Sequence, residues 1–228
     1  FSSQMKLLIV VAMLAARAAC IQDLSGKMFT FPVQNNRARV RLITNKQEFR
    51  AVTVCHRSFT DIKRDHGLFS LSTSGSANSF LIFWDETNKE MEARVKEQKS
   101  EFRGLDYKPN MWHSICTTWD SATGIVQLWF NGRPTIRKFV PATSAITGST
   151  MIILGQEQDA HGGGFDIKQA FVGMMSDVHM WDYVLSSCEI QSYVDKLNFT
   201  PGNVLNWKAL EFEITDKVLV EPKSIVCH

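Results

Sequence analysis

The stretch VQLWFNGRPTIRKFV, residues 126–140, sets Asn131-Gly132 between two runs of apolar and β-branched residues. A two-residue type I′ turn needs positive φ at both central positions, and Asn-Gly supplies it, so this is the strongest short-range signal for a β-hairpin. The same grammar recurs outward from it in AVTVC (51–55), FLIFW (80–84), SICTTW (114–119), GIVQLWF (124–130), MIILG (151–155), DVHMW (177–181) and KVLVE (217–221). These runs are short, rich in β-branched and aromatic residues, and divided by Gly, Pro, Asn, Asp and Ser clusters. They predict an all-β fold, two antiparallel sheets packed as a lectin-like sandwich or jelly roll. One segment departs: in SSCEIQSYVDKL (186–197) Ser186 and Glu189 form a capping box ahead of Ile190, Val194 and Leu197 at helical spacing. A single short helix is expected over 187–196. The charged segment KEMEARVKEQKSEF (89–102) offers a second, weaker helix, but its charges favour a solvated hairpin or edge strand.

Of the 228 residues, 44% are hydrophobic and 21% charged, an ordinary globular balance. MKLLIVVAMLAARAAC begins at Met5 with a lysine, continues through an apolar run from Leu7 to Ala16, and ends in small residues. Residues 1–20 therefore read as a secretory signal, with 1–4 as upstream sequence and 21–228 as a single domain. The apolar run is short for a membrane span. Without Lys6 and Arg17, 23 basic residues face 23 acidic ones, and no basic patch with interleaved aromatics remains to suggest nucleic acid. Cys20 lies at the cleavage region. Cys55, Cys116, Cys188 and Cys227 allow three pairings in a secreted chain. Cys55 and Cys116 both lie in strand-like stretches, which admits an inter-strand bridge; Cys188 and Cys227 are left to pair together, across subunits, or not at all. Asn198-Phe199-Thr200 is a candidate glycosylation sequon, followed at once by Pro201.

The second informative stretch is GQEQDAHGGGFDIKQAF, residues 155–171. Carboxylate and amide oxygens are the donors that Ca²⁺ takes, six to eight at a time. Glycines let a loop fold tightly enough for Glu157, Asp159 and Asp166 to converge. No EF-hand pattern occurs, and a solvated polar loop is the commoner meaning of such composition. Glu157 and Asp159 could be cast as a glycosidase pair, or His161 as a base, but two carboxylates two residues apart on a loop are a weak basis for catalysis. No G-x-S-x-G elbow is present. His56, His113 and His179 fall in strand-like runs and read as structural.

CTTWDSATGIVQLWFNGRP (116–134), IILGQEQDAHGGGFD (152–166), VHMWDYVLS (178–186) and NVLNWKAL (203–210) closely resemble the short pentraxins. FTFP (29–32), AVTVC and FLIFW extend the likeness over essentially the whole mature chain. The resemblance implies a flattened jelly roll with one helix, assembled as a cyclic homopentamer. It implies two Ca²⁺ per subunit on one face, binding phosphocholine or phosphoethanolamine, and an opposite face that engages complement and Fc receptors. It further implies secreted pattern recognition in innate immunity and the acute phase, without enzymatic activity. By the same resemblance Glu157, Asp159, Asp166 and Gln169 are calcium ligands, Gln158 contributes its backbone carbonyl, and Asn78 adds an amide oxygen. Cys55 and Cys116 match the family disulfide, and Phe83 matches an aromatic residue that packs on choline methyls. The alternative ligand class is carbohydrate, as in a calcium-dependent lectin for galactose or modified polysaccharide. Three departures stand out: Ala77 replaces a usual aspartate, Ser114 replaces a histidine, and residues 85–105 carry an insertion. With three carboxylates for two divalent ions, the second ion is expected to bind more weakly.

Overall fold

The computed structural model describes residues 20–223. Its strands begin with β1 (Lys27–Phe31), β2 (Arg39–Leu42), β3 (Glu48–Phe49), β4 (Ala51–Phe59), β5 (His66–Thr73), β6 (Ser76–Asp85), β7 (Glu90–Val95) and β8 (Gln98–Arg103). They continue with β9 (His113–Asp120), β10 (Ile125–Phe130), β11 (Arg133–Phe139), β12 (Ile146–Thr147), β13 (Thr150–Leu154) and β14 (Gly173–Trp181). One helix, α1 (Ser187–Val194), precedes β15 (Phe212–Thr215) and β16 (Leu219–Pro222). Two seven-stranded sheets result, ordered β11-β10-β9-β4-β14-β1-β16 and β15-β2-β13-β5-β6-β7-β8, with every pairing antiparallel. This is the jelly roll the sequence predicts.

Asn131 and Gly132 adopt φ of 49° and 79°, and Phe130 pairs with Arg133 to close the β10–β11 hairpin. Along β10, Val126, Leu128 and Phe130 are buried while Ile125, Gln127 and Trp129 are only partly so. That alternation places one face of each sheet in the core. Phe29, Trp207 and Phe212 meet edge-on at 5.2 and 5.0 Å within it, a favoured geometry for aromatic rings.

The helix sits outside the first sheet. Ser186 accepts from the Glu189 backbone while Glu189 reaches back to the Ser186 backbone, so the expected capping box is present. Ile190 and Tyr193 pack with Trp181 and Leu185 over Cys55 and Cys116, which face one another between β4 and β9 and form a disulfide. The helix ends at Val194, two residues earlier than expected. Lys196 takes a φ of 56°, which no helix continues, and Leu197 is left 60% exposed. Arg57 donates to the carbonyls of Tyr193 and Val194, satisfying the last turn.

The charged segment 89–102 is indeed an edge hairpin, β7–β8, but it is less solvated than expected. Glu90 and Glu92 are buried, because Lys99 and Arg103 close on Glu90 while Arg94 and Lys99 close on Glu92. Cys188 is an exposed thiol. Its suggested partner Cys227 lies outside the described residues, as does the signal segment up to residue 19.

Candidate metal centre

The loop after β13 folds back over β5 and is fastened to it by buried polar side chains. Gln158 donates through Nε2 to the Ser70 and Met151 carbonyls, and its Oε1 accepts from Ser72 Oγ and from the Gly162 backbone. Its side chain is thereby fully used, which leaves only the backbone carbonyl for a ligand. Gln156 donates its Nε2 to the carbonyls of Asn35 and Ala38, while its Oε1 is buried without a donor among the described residues. His161, once a possible base, points its Nδ1 at Ser72 Oγ at 3.1 Å. Ala160 and Gly163 exchange both backbone hydrogen bonds, closing a tight turn. Gly164 has a φ of 75°, and a Cβ there would stand 2.8 Å from the Asp159 Cβ, so only glycine lets the chain double back beside Asp159.

Glu157 lies on Gly67 of β5: a Cβ at Gly67 would come within 3.1 Å of the Glu157 Cβ. The Gly67 backbone N–H donates to the Gln169 carbonyl at 3.1 Å, which brings the end of the loop to the same place. Asn78 enters from β6. Its Nδ2 donates to Glu97 Oε2 at 2.9 Å, so its Oδ1 is the free end of the amide. Glu157 is 4% exposed and Asn78 is 7% exposed. Three buried oxygens of the predicted ligand set, Asn78 Oδ1, Glu157 Oε2 and Gln169 Oε1, meet no hydrogen-bond donor among the described residues. Each buried acceptor left without a donor costs about 1–3 kcal/mol.

The electrostatics agree with that picture. Burial, reinforced by the Asp159, Glu97 and Asp166 carboxylates and opposed by Arg94, raises the Glu157 carboxyl to about 7. Carboxylates crowded around a buried one without a cation repel it, and a divalent ion reverses that balance. Orphaned oxygens, carboxylates and a fixed amide make an all-oxygen donor set that fits Ca²⁺ and suits zinc or copper poorly. Asp159 and Asp166 are exposed on the loop, and Asp166 Oδ1 also accepts from the Lys168 backbone. Phe83 pairs with Gly67 in the β5–β6 register, 6% exposed, and its strand neighbours Ile82 and Trp84 belong to the core.

A second acidic group was not read from the sequence. Asp85, Glu90 and Glu92 bring ligand atoms within 4.8 Å of one another. Lys99, Arg103 and Arg94 already neutralise Glu90 and Glu92, so this group is an ion-pair lattice and not a vacant cation site. Glu97 was missed as well; it stands in the inserted stretch 85–105, and only the β7–β8 turn carries it to Asn78. Far from this centre, Asn198 is exposed and shares a surface concavity with Cys188.

Residues 27–222 match the Pentaxin family, and the chain belongs to it. It is 37% identical to serum amyloid P-component of the mouse, Mus musculus, over 94% of this chain and 95% of that one. It is 40% identical to C-reactive protein of the rat, Rattus norvegicus, over 89% and 87%. Among solved structures, a heptameric pentraxin from Limulus polyphemus superposes with a TM-score of 0.80 at 24% identity, covering 88% of this chain and 96% of that one, a likeness of fold. Membership makes the chain a binding protein of the pattern-recognition kind, in a calcium-dependent family, and not an enzyme.

Proposed function

We propose that the protein is a secreted, calcium-dependent recognition protein for phosphate-bearing ligands of the phosphocholine or phosphoethanolamine type on microbial or damaged-cell surfaces. The observation that carries this reading is a trio of buried oxygens without donors among the described residues, one of them on Glu157, which feels the Asp159, Glu97 and Asp166 carboxylates. Glu157, Asp159, Asp166, Asn78, Gln169 and the Gln158 carbonyl would hold the metal, two ions per subunit. Bound calcium supplies a positive centre shared between these oxygens and the ligand's phosphate.

The chain's own residues do the rest. Gln158, Ser70 and Ser72 hold the loop in register before any ion arrives, so less ordering is needed on binding. By family likeness Phe83, 6% exposed beside Gly67, would present the edge of its ring to the methyl groups of a quaternary ammonium. The chain is further proposed to assemble as a ring, a homopentamer by family likeness, with every site on one face and α1 on the other. The helix face would then recruit complement components or Fc receptors.

Retention on phosphocholine beads in Ca²⁺ and release by EDTA are the expected results; retention after chelation would overturn the reading. Free phosphocholine should elute the protein, whereas elution by galactose alone would favour the lectin alternative. Phe83→Ala should weaken retention on phosphocholine more than on phosphoethanolamine, because only the former loses trimethylammonium contact.

A further inference from the structure

Ala77 stands directly before Asn78, where the resemblance implies an aspartate. Across the β6–β7 pairing, the next hairpin turns at Lys96-Glu97, with φ of 48° and 66°. The turn is tied down by its backbone: Lys96 N–H donates to the Ser79 carbonyl and Glu97 N–H to the Asn78 carbonyl, both at 3.1 Å. That geometry carries the Glu97 side chain onto the Ser76–Asn78 strand end. Glu97 Oε1 accepts from Ser76 Oγ at 2.7 Å and from the Asn78 backbone at 2.8 Å, while Oε2 accepts from Asn78 Nδ2 at 2.9 Å.

We propose that Glu97 replaces the carboxylate missing at position 77, as a positioning residue that turns Asn78 Oδ1 toward the metal and supplies the fourth negative charge. This inference rests on the calcium reading above. An asparagine amide can flip, and the two orientations present opposite ends to a cation. Holding Nδ2 on a carboxylate removes one of them and leaves Oδ1, buried and without a donor among the described residues, as the end available to a metal. With Glu157, Asp159 and Asp166, Glu97 makes four negative charges for two divalent ions. Arg94 stands near but is engaged by Glu92 through Nε and Nη2.

The test is a Ca²⁺ titration by calorimetry, with Tb³⁺ luminescence as a second readout, on four proteins: wild type, Glu97→Gln, Ala77→Asp and the double variant. Glu97→Gln keeps an acceptor at the same place, and its melting temperature in EDTA is expected to match wild type. Its calcium affinity should fall about 10- to 100-fold, the range for lost outer partners of metal ligands. Ala77→Asp should restore most of that loss in the Glu97→Gln background and add little to the wild type, a non-additivity that marks a shared role. Wild-type affinity in Glu97→Gln, or equal gains from Ala77→Asp in both backgrounds, would overturn the inference while leaving the metal centre standing. If the wild type takes up no calcium at all, the proposed function falls with it.

Discussion

His56 is wholly buried on β4, and neither ring nitrogen meets a hydrogen-bond partner among the described residues. Burial pushes it down to about 3, and burial likewise brings His66 and His179 to about 4. All three fold as neutral rings. The unfolded chain takes up protons near the ordinary pKa of 6.5, so stability is complete above that pH and drains away as pH falls toward 4. His56 alone should cost about 1.4 kcal/mol at pH 5.5. Urea melts of wild type and His56→Leu at pH 7.5 and 5.5 check this, and equal pH losses in both would contradict it. At the loop, Gly164→Ala adds a methyl group against Asp159 in a left-handed backbone, and calcium affinity should fall several-fold with the fold retained. Calorimetry on the purified variant reads it directly.

Two elements carry separable stability. The capping box at Ser186 satisfies the first backbone donors of α1, and Ser186→Ala should cost about 1 kcal/mol in chemical denaturation. Because α1 lies on the sheet away from the loop, calcium titrations of that variant should not change. The Cys55–Cys116 bridge spans 61 residues and should contribute roughly 4 kcal/mol in the chain-entropy model, measurable as a drop in urea midpoint after replacing both cysteines with alanine. The β7–β8 hairpin shows how an element can mislead. Its charges suggest a solvated edge, yet Arg103 reaches Glu90 directly across the strands while Arg94 and Lys99 both close on Glu92, and these opposite charges let the glutamates be buried.

At the scale of the molecule, the two sheets divide the labour. The second sheet carries β5, β6 and the loop that together hold the candidate centre, while the first sheet carries the helix and the disulfide. A ring of such subunits would present many weak sites to one surface, and linked sites bind more tightly than single ones by factors of about 10²–10⁴. The proposed assembly predicts strong retention on densely coated phosphocholine surfaces and weak binding of the free ligand. Comparable affinity for soluble and surface-bound ligand, measured by calorimetry and surface binding, would argue for a single independent site.

The strands with clean alternation, the Asn131-Gly132 turn, the capping box and the acidic loop were all legible in the residues, because each is a local pattern whose period or turn chemistry needs no partner to be read. β5 was not. HGLFSLST is buried on both faces, and its serines are there to fasten Gln158, so it shows no alternation and few β-branched residues. The paired charges of β7–β8 and the reach of Glu97 to Asn78 were equally invisible, since they depend on which strand lies beside which. Sequence determined the jelly roll and most of the oxygens that would meet a cation. Tertiary structure alone decided which way Asn78 points and which of those oxygens lie buried without a donor, because both follow from cross-strand contacts and burial that no spacing along the chain encodes.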